Sequence, residues 1–278
     1  MALEDTVIAT ESQIVEMYGE NNSFTHYSNL INGGLLPLTV KTFATERGRA
    51  FLHWVTWIYI SGSISRIRNS NSFVPVVCAN SGFLEQLYEE YLSNMGMEFR
   101  IRNAKKGTLS GRLETPSGNG SFGRLMGIMG VPIPRKNSSR IATKPSYDLQ
   151  LPHYFMDIAG AEPQGLGEMK EKKEILDILV RIIFKDRLRG GEKKAKTFYL
   201  DLRYRTSKKA SRNYARSVVE FLRTAIPDPD NIGLFSYDDI TIYPNRPKKL
   251  FGARLKLSSD QIGYLSAKTN ILRISANY

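Results

Sequence analysis

Between residues 46 and 275 one order of segments occurs twice: helix, two strands, helix, two strands, helix. That repetition constrains the fold more tightly than composition does. In the first pass, "ERGRAFLHWVTWIYI" (46–60) is a buried helix stopping near Gly62, a residue suited to a C-cap. "SISRIRNSNSFVPVVCAN" is two short strands around a turn at Asn69–Ser72. "GFLEQLYEEYLSNMG" has apolar residues at helical spacing and a stop at Gly96. "EFRIRNAKKGTLSGRLE" alternates as a hairpin, and "FGRLMGIMG" is a short closing helix. In the second pass "KKEILDILVRIIFKD" (172–186) is a helix, "TFYLDLRYR" (197–205) alternates strictly, and "SKKASRNYARSVVEFLRTA" (207–225) is amphipathic with an N-cap at Ser207. "ITIYPNRPKKLFGARLKLS" is a hairpin and "SSDQIGYLSAKTNIL" a last helix. The expected organisation is an extension over 1–45, a first lobe over 46–130, a Pro/Ser/Lys/Gly-rich linker over 131–171 and a second lobe over 172–278.

The chain has 278 residues and is 41% hydrophobic, enough for one large core or two small ones. Its longest strongly apolar run, 51–60, falls short of the roughly 20 residues a membrane span needs. No presequence is visible, so the expected location is intracellular, with an organelle such as the mitochondrion as one such setting. Cys78 is the only cysteine, which excludes an internal disulfide and a cysteine-based zinc site. His26, His53 and His153 are scattered and are read as structural or surface residues.

Net charge is +12, which points to an anionic partner. Residues 187–223 hold twelve Lys/Arg against three acids, Glu192, Asp201 and Glu220. Strand alternation sorts these charges by face. In "TFYLDLRYR", Phe198, Leu200, Leu202 and Tyr204 face the core, and Tyr199, Asp201, Arg203 and Arg205 face away. In "FRIR", Phe99 and Ile101 point inward, Arg100 and Arg102 outward. In "ARLKL", Leu255 and Leu257 point inward, Arg254 and Lys256 outward. Arg66 and Arg68 share one face of "SISRIR". Lys208, Lys209 and Arg212 open the 207–225 helix, a natural place for phosphate, and Lys196 precedes the 197–205 strand. Tyr199 and Tyr243 suit base stacking if the partner is single-stranded or irregular RNA.

The layout resembles the LAGLIDADG homing-endonuclease and maturase family. The nine-letter motif falls on "WVTWIYISG" (54–62) and "LVRIIFKDR" (179–187). "GVPIPRKNSSR" with "LPHYF" is similar to the stretch that often precedes the second motif. "YFMDIAG" (154–160) is a rival placement, rejected because the next strand begins only at 197. The resemblance implies an α/β protein of two pseudo-symmetric αββαββα lobes with concave antiparallel sheets, a monomer with an internal pseudo-dimer. It also implies two motif acids holding divalent metal over the scissile phosphates. Ser61 takes the place of the first acid. Asp186 takes the second, but Arg187 follows where the family has Gly, and Thr56, Trp57 and Arg181 replace the usual small residues.

The expectation is therefore a pseudoenzyme: catalytic residues none, Ser61 and Asp186 vestigial, no cofactor, and nucleic acid bound with RNA favoured over DNA. The corresponding role is a maturase-like or ribosome-associated scaffold within a ribonucleoprotein, away from membranes. Three alternatives stay open. One is a Mg²⁺-dependent DNA endonuclease in which Asp157 assists Asp186. The second is a DNA-binding regulator, and the third an assembly protein whose basic face meets acidic protein.

Overall fold

The computed structural model describes residues 2–18, 30–66, 73–96, 99–103, 110–114, 120–131, 133, 151–185, 188–190, 197–205, 207–228, 232–245 and 250–268. The chain divides into two compact units, 1–146 with 161–175, and 147–160 with 176–278.

The first unit begins with strand β1 (Val7–Ala9), helix α1 (Glu11–Tyr18) and strand β2 (Leu38–Thr39), which pairs with β1. Leu3, Ile8, Ile14, Leu30, Leu38 and Phe43 are all buried, so this segment contributes to a core. Helix α2 (Glu46–Ser61) starts at Thr45, whose hydroxyl accepts from the Gly48 amide at 3.0 Å. Its side chains are buried all the way round from Phe51 to Ile60. Aromatic partners surround it: Trp54 meets Phe99 edge-on at 5.1 Å, Trp57 meets Phe83 at 5.0 Å, and His53 stacks on Tyr91 at 4.0 Å. His53 is thus a core histidine.

Helix α2 passes into strand β3 (Gly62–Arg66) with no residue between them. Gly62 is the C-cap of α2, as expected. It is extended (φ −102°, ψ −161°) and donates its N–H to Ile58 and Trp57 carbonyls. Glycine is needed there for space, because a Cβ would collide with the Val76 carbonyl oxygen and the Ile58 Cα. Strand β4 (Phe73–Asn80) follows, then helix α3 (Ser81–Leu87), which continues as a wider turn over Tyr88–Leu92 and a tighter one over Ser93–Met95. It ends at Gly96, which is left-handed at φ 65°. Strands β5 (Arg100–Asn103) and β6 (Ser110–Glu114) and helix α4 (Gly120–Ile128) complete the unit. The sheet order is β3-β4-β6-β5, antiparallel throughout. Ile101 pairs with buried Leu113 in the file of Val77, and it is 37% exposed because β5 lies at the edge.

Two helices lie within the stretch expected as linker: α5 (His153–Gly160) and the start of α6 (Leu166–Lys185). Helix α5 buries Tyr154, Phe155, Ile158 and Ala159, and Phe155 meets Phe221 edge-on at 5.1 Å. The element after α5 is α6, not a strand, as the rejection of "YFMDIAG" as a motif requires. Phe155→Ala is expected to cost about 3–5 kcal/mol, the range for deleting a buried phenyl ring, read as a fall in the denaturation midpoint.

The second unit continues with β7 (Leu188–Gly190), β8 (Thr197–Arg205), α7 (Lys208–Ala225), β9 (Ile240–Asn245), β10 (Leu250–Ser258) and α8 (Ser259–Lys268). Its sheet order is β7-β8-β10-β9, the same pattern as in the first unit. The Ser207 hydroxyl caps α7 by accepting from the Ala210 amide at 3.0 Å. Helix α7 packs on β8, β9 and β10, over Leu200, Leu202, Ala253, Leu255 and Leu257. The fold is thus two αββαββα repeats, each around a four-stranded antiparallel sheet. Among the described residues no helix is long and apolar enough to cross a membrane.

Candidate nucleic-acid interface

The second sheet presents its uncovered face in cross-strand rows. Arg189, Tyr199 and Lys256 are in register, and Asp201, Arg254 and Thr241 form the next row. Gly252 and Tyr243 pair in the row after that. Arg254 and Lys256 are exposed, while Leu255 and Leu257 between and beyond them are fully buried. Strict alternation on β8 holds as far as Leu202. Beyond it the pairing with β10 slips, Ala253 facing Leu202 but Phe251 facing Arg205, so the parity expected for Arg203 and Arg205 is broken at a bulge.

Four residues on this face are tied together. The Arg254 Nε donates to Asp201 Oδ1 at 2.6 Å, and the Tyr243 hydroxyl donates to the same oxygen at 3.5 Å. The Arg254 guanidinium lies 4.6 Å from the Tyr243 ring centroid and 5.8 Å from that of Tyr199. Gly252 makes this possible, since the Tyr243 ring fills the space where a Cβ would stand. The hydrogen bond that Arg254 donates to Asp201 raises the Arg254 pKa above its ordinary value, partly opposed by burial. The Tyr243 ring therefore packs on the sheet beneath a guanidinium instead of standing free to stack on a base.

Lys208, Lys209 and Arg212 are exposed in the first turns of α7, which has no acid in its first turn. Cations at the positive end of a helix are locally unfavourable. Their presence there favours an anionic partner over a purely structural role.

The first sheet divides its basic positions. Ile64 pairs with Pro75 and Arg66 with Phe73, so position 66 belongs to the file of buried Gly62, Ile64 and Val77. Arg100 pairs with Glu114, and Arg102 with Arg112, which pairs in turn with Cys78; these belong to the opposite file. Arg100 and Cys78 are exposed. Arg68, Lys196 and Asp186 lie outside the described residues. Arg112 and Arg189 are positions that sequence reading missed. A three-residue strand such as β7 shows no alternation by itself, and only its register with β8 reveals where Arg189 belongs.

The two motif positions that the resemblance assigns to metal are only partly among the described residues, since Asp186 lies outside them. Ser61, at the end of α2, supplies a neutral hydroxyl at most. Asp157, the expected helper acid, is held by His153 Nδ1 at 2.7 Å. Among the described residues no group of three or more His, Cys, Asp or Glu is placed to hold a metal ion.

No protein-family model matches the sequence, and no curated protein matches it. Solved structures do. The homing endonuclease I-WcaI bound to its DNA recognition sequence aligns over 92% of both chains at 10% identity, with a TM-score of 0.45. I-DmoI in complex with DNA and Mn aligns over 80% of this chain and 96% of its own, at 10% identity and a TM-score of 0.41. One expectation is corrected by them. The replaced acid at Ser61 was taken to make the chain a non-enzyme without a cofactor, yet these structures are of homing endonucleases, one of them with metal bound. Neither structure is described as holding RNA, so the preference for RNA over DNA gains nothing from them. The chain's own topology, two αββαββα repeats, is the one that the LAGLIDADG resemblance implies.

Proposed function

We propose that this chain binds duplex DNA through the uncovered faces of its sheets. The observation that carries this reading is strand β10, whose Arg254 and Lys256 are exposed on one face while Leu255 and Leu257 are fully buried on the other. A two-stranded β ribbon with long cationic side chains fits the major groove of B-form DNA, about 12 Å wide. The major groove of A-form RNA is too deep and narrow for side chains to read. RNA recognition by single-strand stacking needs free aromatic faces, and Tyr243 is engaged with Gly252 and Arg254.

A second reading adds metal-dependent cleavage. It rests on the direct passage of α2 into β3 and on Asp186, which follows the last residue of α6 at the corresponding point of the second repeat. A divalent ion would supply charge stabilisation at the scissile phosphate. Among the described residues no group of donors assembles such a site.

One experiment addresses both readings: enrichment from a random duplex pool and a random folded-RNA pool, followed by incubation of the enriched duplex with Mg²⁺ or Mn²⁺. The expected result is enrichment of duplex DNA. Enrichment of RNA alone overturns the DNA reading. If the duplex is cut, Asp186→Asn is expected to abolish cutting and leave binding intact; cutting unaffected by that change removes Asp186 from the reaction.

A further inference from the structure

We infer that Arg254, held in place by Asp201 and Tyr243, is a base-reading residue specific for guanine. The inference rests on the duplex-DNA reading and goes beyond it, because phosphate-binding cations give affinity without sequence choice.

Arg254 differs from the exposed cations that this reading assigns to phosphate. Lys208, Lys209, Arg212 and Lys256 are exposed with no ion pair recorded among the described residues. A phosphate contact needs no more than that, since a flexible cation near the backbone suffices. Arg254 has its Nε committed to Asp201 at 2.6 Å, and its guanidinium plane rests on the Tyr243 ring at 4.6 Å. With Nε engaged, the two terminal nitrogens form the remaining donor edge, beside the Tyr243 hydroxyl that the guanidinium also contacts. That edge is the planar fork that matches the O6 and N7 acceptors of guanine in the major groove. Holding the fork in one orientation before binding reduces the side-chain entropy lost on contact.

The supporting residues are arranged for this purpose. Asp201 faces Arg254 directly across the β8–β10 pair, and Gly252 leaves room for the Tyr243 ring beside it. An unpaired carboxylate on a DNA-binding face would repel phosphate. Its cost is offset where it aims an arginine. Asp201 and Tyr243 are positioning residues, acting through Arg254.

The test is selection from a randomised duplex pool with the full chain and with Arg254→Lys, Asp201→Asn and Lys256→Gln, scoring base preference at each position and the salt dependence of binding. The wild type is expected to show one G·C position that Arg254→Lys relaxes by about 5- to 150-fold, with other positions unchanged. Asp201→Asn is expected to relax the same position, although it removes a negative charge and so does not weaken phosphate binding. Lys256→Gln is expected to weaken binding evenly across sequences and to lower the salt slope by about 1. The inference is overturned if Arg254→Lys leaves every base preference intact, or if Asp201→Asn does so. Failure of the wild type to enrich any duplex instead overturns the proposed function itself.

Discussion

Replacing Lys208, Lys209, Arg212 and Lys256 together by Gln is expected to lower affinity for duplex DNA by about 100-fold or more, and to reduce the slope of log K against log salt by about 3 to 4. All four side chains are exposed. None has an ion pair recorded among the described residues. Each neutralised phosphate contact removes close to one unit of counterion release, so the slope counts the contacts. The same variant is expected to be slightly more stable than the parent. Three of the cations sit at the start of α7, where the helix dipole opposes them, and removing each returns about 0.3–1 kcal/mol at low ionic strength. Loss of binding together with a small gain in stability separates a functional charge cluster from a structural one. The check is fluorescence-anisotropy titration at several salt concentrations beside a chemical denaturation curve. An unchanged slope would remove these residues from the interface.

Gly62→Val is expected to destabilise the first unit by about 1–3 kcal/mol or more, as forced overpacking against backbone does. The atoms a Cβ would meet, the Val76 carbonyl oxygen and the Ile58 Cα, belong to a strand and a helix and cannot move aside as the tip of a side chain can. They would have to part the junction between α2 and β3, where the Gly62 amide closes the last turn of the helix and Gly62 pairs with Val77. Gly263→Ala is the matching control. It lies within α8 with open space around the added methyl, and is expected to be neutral or to stabilise by about 0.5–1 kcal/mol through helix propensity. Denaturation midpoints of the two variants check the pair. Equal midpoints would mean that the close approach at Gly62 is not restrictive.

The duplicated order of elements was legible because each long element carries its own period. Residues 197–202 alternate by two, and α7 has Tyr214, Val218, Val219, Phe221 and Leu222 buried along one side. The polar face of β10 was legible for the same reason. What escaped was whatever depends on neighbours. Arg189 and Arg112 need the register of an adjacent strand, and the partial exposure of Ile101 needs the knowledge that β5 is at an edge. Helix α5 has only eight residues between Pro152 and a Gly-terminated end, and a Pro-rich context hid its buried positions at 154, 155, 158 and 159. The clustering of Tyr243 with Asp201 and Arg254 could not be read at all, since three separate strands supply it.

The most direct measurement of the central claim is lysine acetylation of the free and DNA-bound chain, read by mass spectrometry at each lysine. Binding of duplex DNA across the second sheet and the start of α7 predicts protection of Lys208, Lys209 and Lys256. Lys170 and Lys173, exposed on the first half of α6 where Glu168, Glu171 and Glu174 balance three lysines, are predicted to react equally in both states. Protection of Lys170 and Lys173 with continued reaction at Lys208, Lys209 and Lys256 would contradict the account.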